Sequence, residues 1–199
     1  MNTGNYEGIE PYENGYKVEG DYRFSNKLDK PILLVTGNVE VDPNITSLEG
    51  APERVQGYFN CNYCWRLKSL KGAPKYVGNF FSCSNCINLE SLEFSPNYVG
   101  ENFYCINTRI KTLHNSTARI EGDFVCSYNK YITSLEGCPE IVYGSFECNH
   151  CDNLVTLKGC PKQVFGSILL IHNRKLKSLD FFPEKFKGTL YCNDELEKK

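Results

Sequence analysis

Residues 61–86 read CNYCWRLKSLKGAPKYVGNFFSCSNC, a segment that opens and closes on Cys-x-x-Cys. Two such pairs separated by eighteen residues fall inside the spacing of a four-cysteine zinc site, with Cys61, Cys64, Cys83 and Cys86 as the thiolates of a tetrahedral cage. His150 and His172 could add imidazoles, either as metal ligands or as groups that titrate near neutral pH. No glycine-rich phosphate loop, nucleophile elbow or H-E-x-x-H accompanies them, and the carboxylates form no acid–base pair. The expectation is a chain without catalytic activity or cofactor, unless the cysteines hold metal.

The bulk properties narrow the classes. A chain of 199 residues is long enough for one domain with a sizeable core. A net charge of −2 creates no overall field for nucleic acid or an anionic membrane, and no apolar run reaches membrane-spanning length. The polar, acidic start MNTGNYEGIEPYENG does not read as a signal peptide. That places the chain in a reducing, cytoplasmic compartment, where cysteines stay thiols or bind metal. The odd total of eleven cysteines argues against a fully paired disulfide framework.

The elements that must position these residues are repeats. Tetrads of apolar-x-Ser/Thr-Leu begin at Ile45, Leu67, Leu89, Ile110, Ile132, Leu154 and Leu176, at intervals of 22 residues with a single 21. A proline follows the second Leu by four residues in six copies, and Ala118 stands there in the remaining one. Three residues on comes an apolar anchor (Val55, Val77, Val99 and equivalents), and four further a large apolar residue (Phe59, Phe81, Phe103, Phe124, Phe146, Ile168, Leu190). The ladder position two beyond holds Cys61, Cys83, Cys105, Cys126, Cys148, Leu170 and Cys192. Period-two F-x-C is a short strand, and glycine and proline bend the chain on either side. Twenty-two residues leave room for that strand and a turn-rich return but no full helix. A coil of this kind cannot cover its own apolar face, so coils stack around a shared core. The Ser/Thr hydroxyls between two buried positions are placed to bond turn amides.

The unit resembles a leucine-rich repeat. F-x-C-x-x-(C/N) is similar to that family's L-x-L-x-x-(N/C) core, with Asn44, Asn129 and Asn173 in the last column. P-x-x-V resembles the opening of short repeats in bacterial effectors, and the cysteine-bearing version looks closest to repeat proteins of large tailed phages. The resemblance implies a repeat solenoid with a parallel β-sheet on one side and largely non-helical return segments. It further implies a phage protein that acts on a host protein in the host cytoplasm, as inhibitor or decoy. Cys192-Asn193-Asp194 matches the letters of the effector ligases' C-x-D motif, but no ligase-sized domain follows it.

The expected organisation is a polar segment over 1–17, degenerate capping coils over 18–44, seven repeats over 45–192 and a charged tail over 193–199. Within the repeat, the zinc-like spacing is the period minus the cysteine pair. Leu170, Val41 and Phe24 share the first cysteine column, so it is a core slot that a small buried thiol fills. The column of Cys64, Cys86 and Cys151 also holds Thr108, Asn129 and Asn173, as expected for inward groups that bond backbone. Zinc on Cys61, Cys64, Cys83 and Cys86 is the alternative, and a virion assembly component is another. Strand alternation turns Tyr58, Phe80, Tyr104, Ile106 and Val125 outward as one group, and Leu169, Ile171 and Tyr191 as a second. Exposed apolar groups of this kind mark contact sites. The leading expectation is therefore a protein-binding module with a protein partner, no nucleic acid and no membrane.

Overall fold

Glycines and prolines break each 22-residue unit into stretches too short for a helix, and its branched and aromatic residues favour extended backbone. The structure, a computed structural model, describes residues 9–25, 28–114, 119–193 and 196. Ala118 and Asp194 lie outside the described residues. The chain is a parallel β-solenoid of about seven repeat turns preceded by shorter coils, with turn-rich returns.

Each coil supplies two short strands rather than one. The first coils contribute β1 (Ile9–Tyr12), β2 (Gly15–Val18), β3 (Tyr22–Phe24), β4 (Ile32–Val35) and β5 (Val39–Val41). The repeats follow with β6 and β7 (Arg54–Val55, Phe59–Asn60), β8 and β9 (Tyr76–Val77, Phe81–Ser82) and β10 and β11 (Tyr98–Val99, Phe103–Tyr104). The remaining coils give β12 and β13 (Arg119–Ile120, Phe124–Val125), β14 and β15 (Ile141–Val142, Phe146–Glu147), β16 and β17 (Gln163–Val164, Ile168–Leu169), then β18 and β19 (Lys185–Phe186, Leu190–Tyr191). The strands collect into a ten-stranded sheet through the P-x-x-V segments and a nine-stranded sheet through F-x-C. A two-residue strand cannot show alternation by itself, so the first of these sheets is not visible in the pattern of one repeat. The segment before Val18 is also more than a polar lead-in. β1 folds back antiparallel on β2, with Ile9 opposite Val18, and terminates the first sheet.

Equivalent residues face one another across the coils. Phe59 pairs with Phe81 and Phe81 with Phe103, and their ring centroids lie 5.7 and 5.1 Å apart. The Val, Phe, Cys and two Leu columns of the central coils all lose their solvent contact, which makes one continuous core. The Ser/Thr column does what its chemistry implies. Ser47, Ser69, Thr156 and Ser178 accept the amide two residues on, at 2.9–3.2 Å. The following turn closes with a bond from residue 51, 73, 138 or 160 back to the preceding Leu carbonyl, and its third residue needs positive φ. Glycine supplies it at Gly50, Gly72, Gly137 and Gly159, whereas Phe94 and Phe181 adopt φ of 68° in the same column.

The second cysteine column ties each coil to the one before. The Cys86 thiol donates to the Cys61 carbonyl at 3.1 Å and the Cys151 thiol to the Cys126 carbonyl at 3.5 Å. Asn129 serves the same place with more bonds. Its Nδ2 donates to the Cys105 and Cys126 carbonyls, both at 2.8 Å, and its Oδ1 accepts the Thr108 amide at 2.9 Å. Replacing Asn129 with Ala strands the buried Cys105 carbonyl and Thr108 amide and leaves the Cys126 carbonyl only the weak Cys151 thiol donor, so the expected loss is roughly 2 kcal/mol or more in chemical unfolding. A loss below ~1 kcal/mol would show that the coils do not depend on this column. Phe94→Gly should move the other way, raising stability by about 0.5–1 kcal/mol as the left-handed strain is relieved.

Candidate partner-binding surface

The outward side of the F-x-C sheet is flanked by two columns, one immediately before the Phe and one immediately after the ladder cysteine. In most coils these columns hold short polar side chains that accept the equivalent amide of a neighbouring coil. On the first flank, Asp21 Oδ1 accepts the Asn38 amide and Asn38 Oδ1 the Tyr58 amide, at 2.7 and 3.1 Å. The same column resumes at Asn102, which accepts from Asp123 at 2.7 Å, and continues through Asp123, Ser145 and Ser167 to Thr189. On the second flank Asn62 accepts from Ser84, Ser84 from Ile106, Ser127 from Asn149 and Asn149 from Ile171. These ladders add to the backbone bonds and lock coil to coil.

The ladders stop at the residues that the outward pattern singled out. Phe80 has no acceptor and Tyr58 carries its only one at the far end of the ring, beside Glu40, so neither bonds the next coil's amide and their rings stack instead, with centroids 4.6 Å apart and planes 12° from parallel. Tyr104 meets Phe80 edge-on at 6.2 Å. Its hydroxyl accepts a 2.6 Å hydrogen bond from Asn102 Nδ2. Ile106 breaks the second ladder in the same stretch of coils, and Ile171 breaks it again further on. Among the described residues the Phe80 and Asn102 amides therefore lack the side-chain acceptor that their column supplies elsewhere. Each missing bond forgoes on the order of 1 kcal/mol of coil stacking.

The structure brings Tyr58, Phe80 and Tyr104 into ring contact, and Ile106, two residues beyond Tyr104 in the same coil, is partly exposed as they are. Val125 requires a correction. It points outward beside Tyr104 but is only 6% exposed, because residues of the coils on both sides close over a short branched side chain. Ser82, Ser84 and Ser127 are buried for the same reason, although all three are outward. Val125 can support the ring group from beneath but not touch a partner. Of the second group, Leu169 and Ile171 are half-buried and Tyr191 is 47% exposed, paired with Leu169 in the sheet. Negative charge borders the face. Glu40 raises the Tyr58 phenol above its ordinary value by hydrogen bonding, and burial raises the Glu147 carboxyl, with Asp123 adding to it.

Strand-face reasoning missed other side chains. On the first sheet Arg54 lies 3.8 Å over the Tyr76 ring, Tyr76 stacks on Tyr98 at 4.9 Å, and Tyr143 stacks on Phe165 at 5.4 Å. In the turns after the second sheet Tyr128, His150 and His172 form a stack with centroids 4.5 and 4.4 Å apart. Reading the columns beside the Val anchor would have found the first group, whereas the column that His150 and His172 share with Tyr128 is legible in the repeat itself.

The cysteines sit where core residues sit. Cys61 donates to the Ser82 carbonyl at 3.2 Å, Cys83 to the Tyr104 carbonyl at 3.6 Å and Cys64 to the Asp42 carbonyl at 3.6 Å. Burial pushes the Cys83, Cys105 and Cys138 thiols well above their usual range and Cys160 up to about 12. Among the described residues no group of three or more His, Cys, Asp or Glu side chains is placed to hold a metal ion, and no helix is long and apolar enough to cross a membrane. Comparison with protein-family models, with curated proteins and with solved structures returns no match.

Thiols whose folded pKa is raised stabilise the fold fully below the unfolded thiol value near ~8.5, and that contribution is lost as pH rises. For Cys160 the window runs from ~8.5 to about 12. Each such thiol contributes a slope of about 1.4 kcal/mol per pH unit, so the expected urea midpoint falls steeply between about pH 8 and pH 10. A midpoint flat across that range would mean that the thiols ionise in the folded state.

Proposed function

We propose that this solenoid is a non-catalytic module that binds a partner protein on the outward face of its F-x-C sheet, through Tyr58, Phe80, Tyr104 and Ile106. The observation that carries the reading is the interruption of both polar ladders at one place. Six amides of the first ladder find a side-chain acceptor in a neighbouring coil, and the exceptions follow Tyr58 and Phe80. A column selected only for stacking would keep Asn, Asp or Ser there. Aromatic residues in their place give up coil-to-coil bonds and gain a rigid apolar surface, which is the composition of an interface centre. Its neighbours Asn60, Asn62 and Asn102 supply a polar rim. Stacked strands hold the rings in place before binding, so little side-chain entropy remains to be lost. Leu169, Ile171 and Tyr191, several coils away, are a secondary contact in this reading. Under the resemblance to tailed-phage repeats, the partner is a host protein that this chain inhibits or decoys in the host cytoplasm.

The discriminating variants are Tyr58→Asn and Phe80→Asn, because asparagine restores an acceptor to each broken position. The recovered bonds and the lost ring stack are each of about 1 kcal/mol, so the double variant should melt within ~1 kcal/mol of the wild type. Binding to a partner captured with the wild type should weaken by about 2 kcal/mol or more. Two variants that fold and bind as the wild type does would put the partner on another surface. Variants that melt far below the wild type would make the rings structural.

A further inference from the structure

Six consecutive turns follow the strands of the F-x-C sheet, covering 62–68, 84–90, 106–111, 127–133, 149–155 and 171–177, and they carry eight Lys or Arg residues against two acids, Glu90 and Asp152. The whole chain has 22 cations and 24 acids, which leaves fourteen cations against twenty-two acids elsewhere. Positive charge is thus segregated to one rim of a chain whose net charge is −2. The rim is continuous. The Tyr63 amide donates to the Ser84 carbonyl at 2.9 Å, Asn85 to Ile106 at 2.8 Å, Asn107 to Ser127 at 3.1 Å, Tyr128 to Asn149 at 2.8 Å and His150 to Ile171 at 2.9 Å. At ~4.8 Å per coil, six turns present a row about 24 Å long.

Aromatic rings are interleaved with these charges. Tyr63, Tyr128, His150 and His172 take φ between 56° and 63°, a left-handed conformation that costs non-glycine residues free energy. The turn geometry holds them at the rim, where Tyr63 is 64% exposed. Trp65 and Tyr131 are each about half exposed, with Arg66 5.6 Å from the Trp65 ring and Arg109 5.8 Å from the Tyr131 ring. The acids neutralise little. Glu90 and Asp152 each reach one cation, Lys111 and Arg174, at 3.7 Å. Among the described residues no ion pair engages Arg66, Arg109 or Lys130.

We propose that this rim binds single-stranded nucleic acid, with phosphates along the cations and bases against Tyr63, Trp65 and Tyr131. The eight cations fall in four of the six turns, spaced along one row as the phosphates of a polyanion are, and exposed rings stack on bases without regard to sequence. At ~3.4 Å per stacked nucleotide, 24 Å accommodates about seven, within the usual range for such sites. The rim adjoins the Tyr58–Phe80 face at Asn62 and Ile106, but its cations and exposed rings lie further along the turns, and this proposal stands independently of the protein-binding reading.

Fluorescence anisotropy with a labelled oligothymidylate of roughly ten nucleotides tests it. The expected result is binding at about 50 mM salt that weakens steeply towards 200 mM, with quenching of the single tryptophan, Trp65. The triple variant Arg66→Glu/Arg109→Glu/Lys130→Glu should bind more than about tenfold more weakly, and its salt slope should fall by roughly 0.7 per lost phosphate contact. Lys75→Glu/Lys185→Glu, on the side of the first sheet, should leave both unchanged, and the milder Lys130→Gln guards against misfolding of the triple variant. Absence of oligonucleotide binding at low salt would overturn the proposal, as would equal losses in the two charge-reversal variants. Wild-type protein that ignores the oligonucleotide but sediments with phosphatidylserine vesicles would overturn it too, reassigning the rim to membrane surfaces.

Discussion

Everything in this protein depends on the hydrogen bonds that each coil makes with the next. A two-residue strand such as Phe81–Ser82 satisfies none of its own backbone groups. The Phe81 amide is met only by Asn102 of the following coil, and Phe59 of the preceding coil donates in turn to Phe80. Polar backbone left unpaired inside a fold is costly, so a coil out of register would lose its bonds and its core contacts together. The 22-residue period is the sequence form of that requirement. It also explains why one column can hold Cys and Asn: Cys86, Asn129 and Asn173 all donate to the ladder-position carbonyl of the preceding coil, while Thr108 donates to Asn129 of the following one. The column conserves a donor rather than an element, and the zinc-like spacing follows from the repeat.

Stacking also makes departures informative. Where a column has a structural duty, a residue unable to perform it stands out against its own neighbours within the chain. Tyr58 and Phe80 are such residues in a ladder of acceptors, and Phe94 and Phe181 are such residues in a column of left-handed glycines. In each case a large apolar side chain replaces one suited to the local backbone or bonding. Surface that is wrong for stacking and right for contact is the physical basis for reading the outward face as an interface.

The two candidate surfaces differ in how they arise. The ring group sits on strands, where neighbouring coils hold side chains at fixed spacing and neighbours cover the smaller ones. The rim lies in turns, where the left-handed backbone keeps Tyr63, Tyr128 and the two histidines at the edge, and where charge accumulates because those positions face water. One scaffold therefore carries an apolar patch and a cationic row without altering its core.

The sequence by itself determined the period, the solenoid class, the core columns of Phe, Val, Leu and Cys, the turn-bonding role of Ser47 and its equivalents, and the outward direction of Tyr58, Phe80 and Tyr104. These are properties of spacing and alternation, which a one-dimensional string preserves. The tertiary structure alone decided that a sheet also runs through the P-x-x-V segments, because the Arg54–Val55 strand and its equivalents are defined by partners in other coils and not by their own pattern. It also decided that β1 closes the first sheet, that Val125 is outward yet closed to solvent, and that the polar ladders fail at Tyr58, Phe80 and Ile106. Whether an outward side chain meets water depends on the size of its neighbours one period away. Those distances exist only once the coils are stacked.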